Sequence, residues 1–295
     1  MYFEISHKTT YTYSRPVFLE SHQLRLRPRC DGVQNLTGFD SQIEPEPAGS
    51  SDGIDIDGNV TANVWFQGLT EVLVVQSRAK VFTQYRNPFN YILTERADRL
   101  PVSYLEPIQA YLAPYTMRQH ESRHVEQFVR HIANKTEWKT LRFLTMLTRE
   151  ISEGFQKTVR GIGAPRSAEE TYLSRVGSCR DLAVLFSEAC RYVGIAARFV
   201  NGYCAGGAAA TSGKLSLHSW GEVYLPGVGW RGYDPSRGLA VTDQHVALAA
   251  GGSPLLAAPV LGTFRGNAAT SELDAVIEIR VVGDHENASV AGAAG

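Results

Sequence analysis

Gly177-Ser178-Cys179-Arg180-Asp181-Leu182-Ala183-Val184-Leu185-Phe186 is the stretch on which the fold turns. Leu182, Leu185, Phe186, Ala189 and Val193 recur at helical spacing and Gly194 follows as a stop, so the spacing predicts one amphipathic helix that buries a single face. The apolar positions begin only at Leu182, which leaves Cys179 in the first turn behind the small residues Gly177 and Ser178. Unpaired N–H groups and the positive end of the helix dipole favour a thiolate there. The same groups can hydrogen-bond an oxyanion formed when that thiolate attacks a carbonyl. Most buried cysteines are small apolar core residues; a cysteine placed ahead of the apolar run reads instead as a nucleophile.

Such a nucleophile needs a base, and downstream His218-Ser219-Trp220-Gly221-Glu222-Val223-Tyr224-Leu225 reads as a strand headed by His218,. Pro226-Gly227-Val228-Gly229 turns the chain into Trp230-Arg231-Gly232-Tyr233-Asp234, and Pro235 ends that strand,. A carboxylate at Asp234 would fix the tautomer of His218 and stabilise its imidazolium form. Taken singly, each residue is also what a solvated strand end carries. A four-residue loop would pair Leu225 with Trp230 and set Asp234 opposite Gly221, about 10 Å from His218 and out of phase with it. A bulge or another loop register is needed to join them.

Further outward, Tyr2 to about Val81 reads as short strands punctuated by Pro and Gly, with a turn at Asp57-Gly58-Asn59 and an extended Glu44-Pro45-Glu46-Pro47 at or outside the sheet edge,. Helical periodicity follows over about 103–113, 120–133 and 137–153, and Ser167-Ala168-Glu169-Glu170 fits a capping box,. Strand-like runs cover 197–203, 218–225, 229–233 and 275–282. The expected fold is α+β, with a small all-β domain over 1–110, a mixed catalytic domain over 111–285 and a frayed tail over 286–295. The apolar tract Ala247 to Gly262, broken by Gly251, Gly252, Pro254 and Pro259, reads as a loop and is too short for a membrane span.

The 295-residue composition is that of an ordinary globular protein: with 43% hydrophobic and 20% charged residues and a formal charge of -1, no field draws in nucleic acid or an anionic membrane,. The start of the chain shows no secretory pattern, so a cytoplasmic location is expected. Cys30, Cys179, Cys190 and Cys204 make neither a disulfide framework nor a Cys-x-x-Cys zinc pair,. Cys190 lies about 16 Å along the helix from Cys179, too far for a redox pair.

Five blocks then resemble the bacterial transglutaminase-like cysteine protease group of the transglutaminase and papain-like superfamily. They are Gly177-Ser178-Cys179-Arg180-Asp181, Arg191-Tyr192-Val193-Gly194-Ile195-Ala196-Ala197-Arg198, Gly202-Tyr203, His218-Ser219-Trp220-Gly221-Glu222, and Gly229-Trp230 through Asp234-Pro235-Ser236. The order matches, and the β-rich start is similar to that group's N-terminal domain. Ala196, Ser219 and Ser236 depart from the common Pro, Ala and Thr without touching the triad. The resemblance implies a papain-like transglutaminase core and a Cys179–His218–Asp234 triad. It also implies an acyl-thioester intermediate, a protein or peptide substrate, and chemistry without metal or cofactor. Hydrolysis of an amide is favoured on that likeness alone, with protein-glutamine transglutamination as the alternative. The Gly/Ala-rich Ala205 to Gly213 segment is expected to shape the cleft.

Three other readings compete. His120-Glu121-Ser122-Arg123-His124 has the His-Glu-x-x-His pattern of a zinc protease, but its polar surroundings and lack of a third ligand at the extended positions count against it,. Gly53 to Gly58 resembles a calcium loop only weakly, since Gly53 and Val64 stand where ligands belong,. An idle triad in a scaffold or binding module is the answer from a different class. Gln156 and Trp138 are weak candidates for a second oxyanion donor.

Overall fold

The computed structural model describes residues 1–160, 163–206 and 217–283; the expected tail, and most of the Ala205 to Gly213 segment, lie outside these. The first part of the chain holds β1 (Tyr2–Leu19), β2 (His22–Leu24), β3 (Gln34–Glu44), β4 (Gly49–Ile54), β5 (Val60–Trp65) and β6 (Thr70–Thr83). Then come α1 (Glu95–Asp98), α2 (Ile108–Thr116), α3 (Arg123–Lys135), α4 (Thr140–Gly154), β7 (Gln156–Lys157), α5 (Ala168–Ser174), β8 (Val176–Gly177) and α6 (Cys179–Tyr192). The last part carries β9 (Ala197–Cys204), β10 (His218–Leu225), β11 (Gly229–Asp234), β12 (Leu239–Ala240), β13 (His245–Gly251), β14 (Val260–Leu261), β15 (Phe264–Arg265) and β16 (Ser271–Gly283).

The fold is α+β, with a five-stranded antiparallel sheet in the order β12-β11-β10-β9-β13 at its centre. Its two faces are buried against different partners. On one, Leu182, Leu185, Phe186 and Ala189 of α6 join Phe143, Leu144 and Leu147 of α4 against Val223, Leu225 and Tyr233. On the other, Tyr203, Val246 and Leu248 enter the core of the N-terminal β domain, with Phe3, Ile5, Leu73 and Val75. Strands covered on both faces lose the alternation that marks a half-exposed strand. For that reason residues 247–251, expected as part of a loop, lie instead in the edge strand β13.

The free edge of β13 is closed by side-chain amides of the β domain. Asn59 donates Nδ2–H to the Ala250 carbonyl at 2.7 Å and accepts from its N–H at 2.8 Å. Gln34 does the same for Ala247, at 2.9 and 2.8 Å. An edge strand has a row of unpaired backbone groups; these two amides satisfy those of Ala247 and Ala250, with the Arg29 N–H also donating to the Ala247 carbonyl at 3.0 Å, and so dock the two halves. The Asp57-Gly58-Asn59 turn is held by Asp55, whose carboxylate accepts from the N–H groups of Asp57 and Asn59 and from Arg25. It is a turn, and Asp55 is already occupied by protein donors.

A second correction concerns the far end of the catalytic domain, expected at 285. The final strand β16 pairs along β1 from Tyr2 to Tyr13, opposite the side that β6 occupies. Thus 271–283 completes the N-terminal sheet and does not belong to the catalytic half where 111–285 placed it. Its sequence carries a strand pattern but no information on which sheet edge it meets.

Candidate active site

Cys179 is the first residue of α6, where N–H groups have no carbonyl four residues back within the helix,. The preceding turn is locked by Asp181, which is wholly buried. Its Oδ2 accepts from the Ser178 N–H and hydroxyl, each at 2.8 Å, and its Oδ1 accepts from Arg166 N–H at 2.7 Å and Arg160 at 2.5 Å. Burial raises the pKa of Asp181, but these hydrogen bonds outweigh it and hold the carboxylate below its usual range,. Gly177 packs closely here: a Cβ would lie 3.1 Å from Leu182 and 3.2 Å from Asp181 and Thr171, which would have to give by a few tenths of an ångström. The Asp of the Gly-x-Cys-x-Asp block therefore fixes the backbone that leads into Cys179.

The hairpin resolves the gap in register with a shorter loop and no bulge in its ladder. Leu225 pairs with Gly229 and Gly221 with Tyr233, so Pro226-Gly227-Val228 makes a three-residue connection. One residue of slip moves a side chain to the other face of a sheet; here it brings Asp234 level with Trp220 and into phase with His218. The two meet diagonally, His218 donating Nε2–H to Asp234 Oδ2 at 2.6 Å. Cys179 is the other hydrogen-bond partner of that ring. The structure thus brings all three predicted residues together.

Asp234 is fully buried and accepts five hydrogen bonds. Oδ1 takes Ser236 N–H at 3.0 Å, the Ser236 hydroxyl at 2.7 Å and Arg237 N–H at 3.2 Å. Oδ2 takes His218 and, at 3.2 Å, Nε2 of His245. Burial opposes ionisation of Asp234, yet bonds and charge from His218 and then His245 hold its pKa far below the usual carboxylate range. For His218, burial alone would lower the pKa. The hydrogen bond and charge of Asp234, followed by Cys179, raise it well above the ordinary imidazole value.

His245 escaped the sequence reading because it stands just ahead of the Ala247 to Gly262 tract read as a loop, outside every run read as a strand. Its nearest signal is the strand pairing itself: His245 stands directly across from Cys204, as His218 does from Gly202. Cys204 was equally unmarked. Burial raises its pKa, but His245 by hydrogen bond and charge, and then His218, bring it down to about 7; the Arg237 guanidinium also donates to its sulfur. One ligand atom each from Cys204, His218 and His245 lies within 4.8 Å of the others, the only such three-residue group among the described residues.

Cys179, His218, Cys204 and Arg237 line a cleft of about 920 Å³ whose opposite wall is His7, Thr9 and Tyr11 of β1 and Leu273 to Ala275 of β16. The β domain is therefore one wall of the site. His7 is fixed between Tyr203 Oη at 2.9 Å and Thr9 at 3.0 Å, and burial drops its pKa to about 4.

The other candidates do not assemble. Helix α3 starts at Arg123 with Ser122 as N-cap, so His120 and Glu121 precede the helix that a His-Glu-x-x-His site needs. His124 pairs with Glu169 at 3.0 Å on the surface. Gln156 is exposed and outside the cleft, although Lys157 and Thr158 line it, and Trp138 donates to Asn134. Cys190 is buried in the helical core, which pushes its thiol pKa up.

Comparison with known proteins accords with this geometry. Residues 122–235 match the transglutaminase-like superfamily and residues 3–81 match the bacterial transglutaminase-like N-terminal region. An uncharacterized protein of Mycobacterium leprae, ML0607, is 26% identical over 279 residues, covering 93% of this chain and 97% of its own. Mb2599c of Mycobacterium bovis, also uncharacterized, is 23% identical over 306 residues, with 94% and 92% covered. Among solved structures, a putative cysteine protease from Cytophaga hutchinsonii superposes with a TM-score of 0.72 at 19% identity, covering 96% of this chain and 91% of that one. Residues 122–235 are thus a transglutaminase-like core and residues 3–81 the bacterial transglutaminase-like N-terminal region, in a fold shared along nearly the whole chain with the Cytophaga hutchinsonii structure.

Proposed function

We propose that the chain is a thiol-dependent enzyme that transfers the acyl group of an amide through Cys179, His218 and Asp234, with water as the acceptor. One observation carries the reading: a cysteine at a helix N-terminus shares an imidazole with a buried carboxylate 2.6 Å away, in an open cleft. The Cys179 sulfur attacks the carbonyl carbon and the first-turn N–H groups of α6 take the oxyanion. His218 protonates the departing amine, leaving a thioester. Water then attacks the thioester while His218 accepts its proton, and the free carboxylate and thiol are released.

The likeness to the Cytophaga hutchinsonii protein favours water over an amine acceptor, which would make the chain a transglutaminase. The substrate under this reading is a peptide, isopeptide or glutamine side chain, the amide classes that the family resemblance implies, taken up in the cleft beside Cys179. A cytoplasmic location belongs to the same proposal and rests on the four free cysteines,.

Intact-mass detection of a thioester adduct, across glutamine-containing and isopeptide substrates, tests the reading. The adduct is expected on the wild type and absent from Cys179→Ala, with an added amine failing to divert it. No adduct on any substrate, together with alkylation of Cys179 at pH 6 no faster than that of a free thiol, would mean that the constellation is idle and the chain a binding module.

A further inference from the structure

The thiol and second imidazole beside the triad form a constellation that acyl transfer does not use. Cys204 closes β9, His245 opens β13 directly opposite it, and His218 faces Gly202, two residues back on the same face of β9. Gly202 allows close packing here: a Cβ on it would lie 2.2 Å from the Val246 carbonyl and 2.6 Å from the Trp220 ring. Both imidazoles lean on the same oxygen of Asp234, at 2.6 and 3.2 Å. A sulfur, two ring nitrogens and a buried carboxylate thus converge at the wall of an open cleft.

We propose that Cys204, His218 and His245 bind a thiophilic divalent cation of the zinc type, and that its binding silences the enzyme by taking the His218 imidazole away from Cys179. One thiolate with two imidazoles is a donor set for zinc or cobalt, while calcium and magnesium call for oxygen. Bonds of about 2.0 to 2.3 Å put tetrahedral ligand atoms roughly 3.5 Å apart. The three ligand atoms, within 4.8 Å of one another, therefore close on the cation by side-chain adjustment of about 1 Å. Asp234 Oδ2 holds Nε2 of both rings and the Thr242 N–H donates to Nδ1 of His245 at 3.3 Å, so the cation must displace one of these partners from His245; the cleft leaves the fourth position to water.

Arg237 sets the affinity. Its guanidinium donates to the Cys204 sulfur and so stands where the cation must arrive. The side chain is only half-buried and lines the cleft, so it can swing out, and the cation competes with it for the thiolate.

The silencing half rests on His218 being the base; the binding half does not. Cobalt(II) titrated into the metal-free full chain reads the site directly through its thiolate charge-transfer band. The band is expected in the wild type and in Cys179→Ala, lost in Cys204→Ser, and weakened at least tenfold in affinity by His245→Gln. Arg237→Gln is expected to tighten binding severalfold, a gain that misfolding cannot imitate. Zinc should block thioester formation in the wild type with the same affinity order. A band that follows Cys179 rather than Cys204, or no band at millimolar cobalt, overturns the site. Cobalt binding as expected with undiminished acylation in zinc overturns the switch alone. A metal-free enzyme that never acylates while the band appears tells against the proposed activity and leaves the site standing.

Discussion

Replacing Asp234 by Asn tests the carboxylate at the centre of the site. Oδ1 carries the turn through Ser236 and Arg237, and an Asn with its oxygen in that place keeps all three of those bonds. Its NH₂ then faces Nε2 of both His218 and His245. To accept from it, His218 must carry its proton on the other nitrogen, toward Cys179, where it cannot take one up. The wrong tautomer in a triad of this kind costs about 10⁴-fold, or roughly 5 kcal/mol of transition-state stabilisation. Two hydrogen bonds to a charged acceptor contribute about 1.5 to 3 kcal/mol each, partly offset by no longer burying a carboxylate; a net loss of about 3 kcal/mol in stability is expected.

The stability loss has a pH signature. Asp234 is depressed in the folded state, so its contribution is present above the unfolded pKa of about 3.9 and fades as pH falls below it,. His218 and His245 are raised, so theirs is complete below about 6.5 and fades as pH rises toward the folded values,. Calorimetry on both proteins from pH 3 to pH 9 should show the widest Tm gap between about pH 4 and 6.5. Acylation within tenfold of wild type by Asp234→Asn, or a Tm gap that does not vary with pH, would refute the reasoning.

Three other outcomes follow from the geometry. Asn59→Ala should strand the Ala250 N–H and carbonyl at the β13 edge, at about 2 to 4 kcal/mol,, and speed proteolysis between the two halves while the secondary structure seen by circular dichroism persists. Gly202→Ala should cost about 2 kcal/mol, a fall of about 4–8 °C in Tm, because the new Cβ meets the Val246 backbone and cannot be relieved by a rotamer change,; an unchanged melt would show that β9 and β13 yield. His120→Ala and His124→Ala, singly or together, should leave the rate of thioester formation within about twofold, as expected of surface changes, and a larger drop would revive the zinc-protease reading.

What the sequence by itself determined was the local chemistry. Cys179 at a helix start, the stop at Gly194, the capping box at Ser167 and the strand ending on Asp234 all follow from patterns a few residues long, where neighbours in the chain are neighbours in space. The order of those blocks also carried the superfamily. Tertiary structure decided what depends on distant pairing. One residue of hairpin slip, invisible in the loop's composition, put Asp234 in phase with His218. Burial of β13 on both faces erased the alternation that would have marked it, and with it the position of His245. The return of β16 to β1 turned the last strand into part of the first domain. Sheet edges select partners by exposed hydrogen-bonding groups that are alike in every strand, so the sequence around residues 204, 218 and 245 holds no mark of their meeting; the folded sheet alone brings them to one point,.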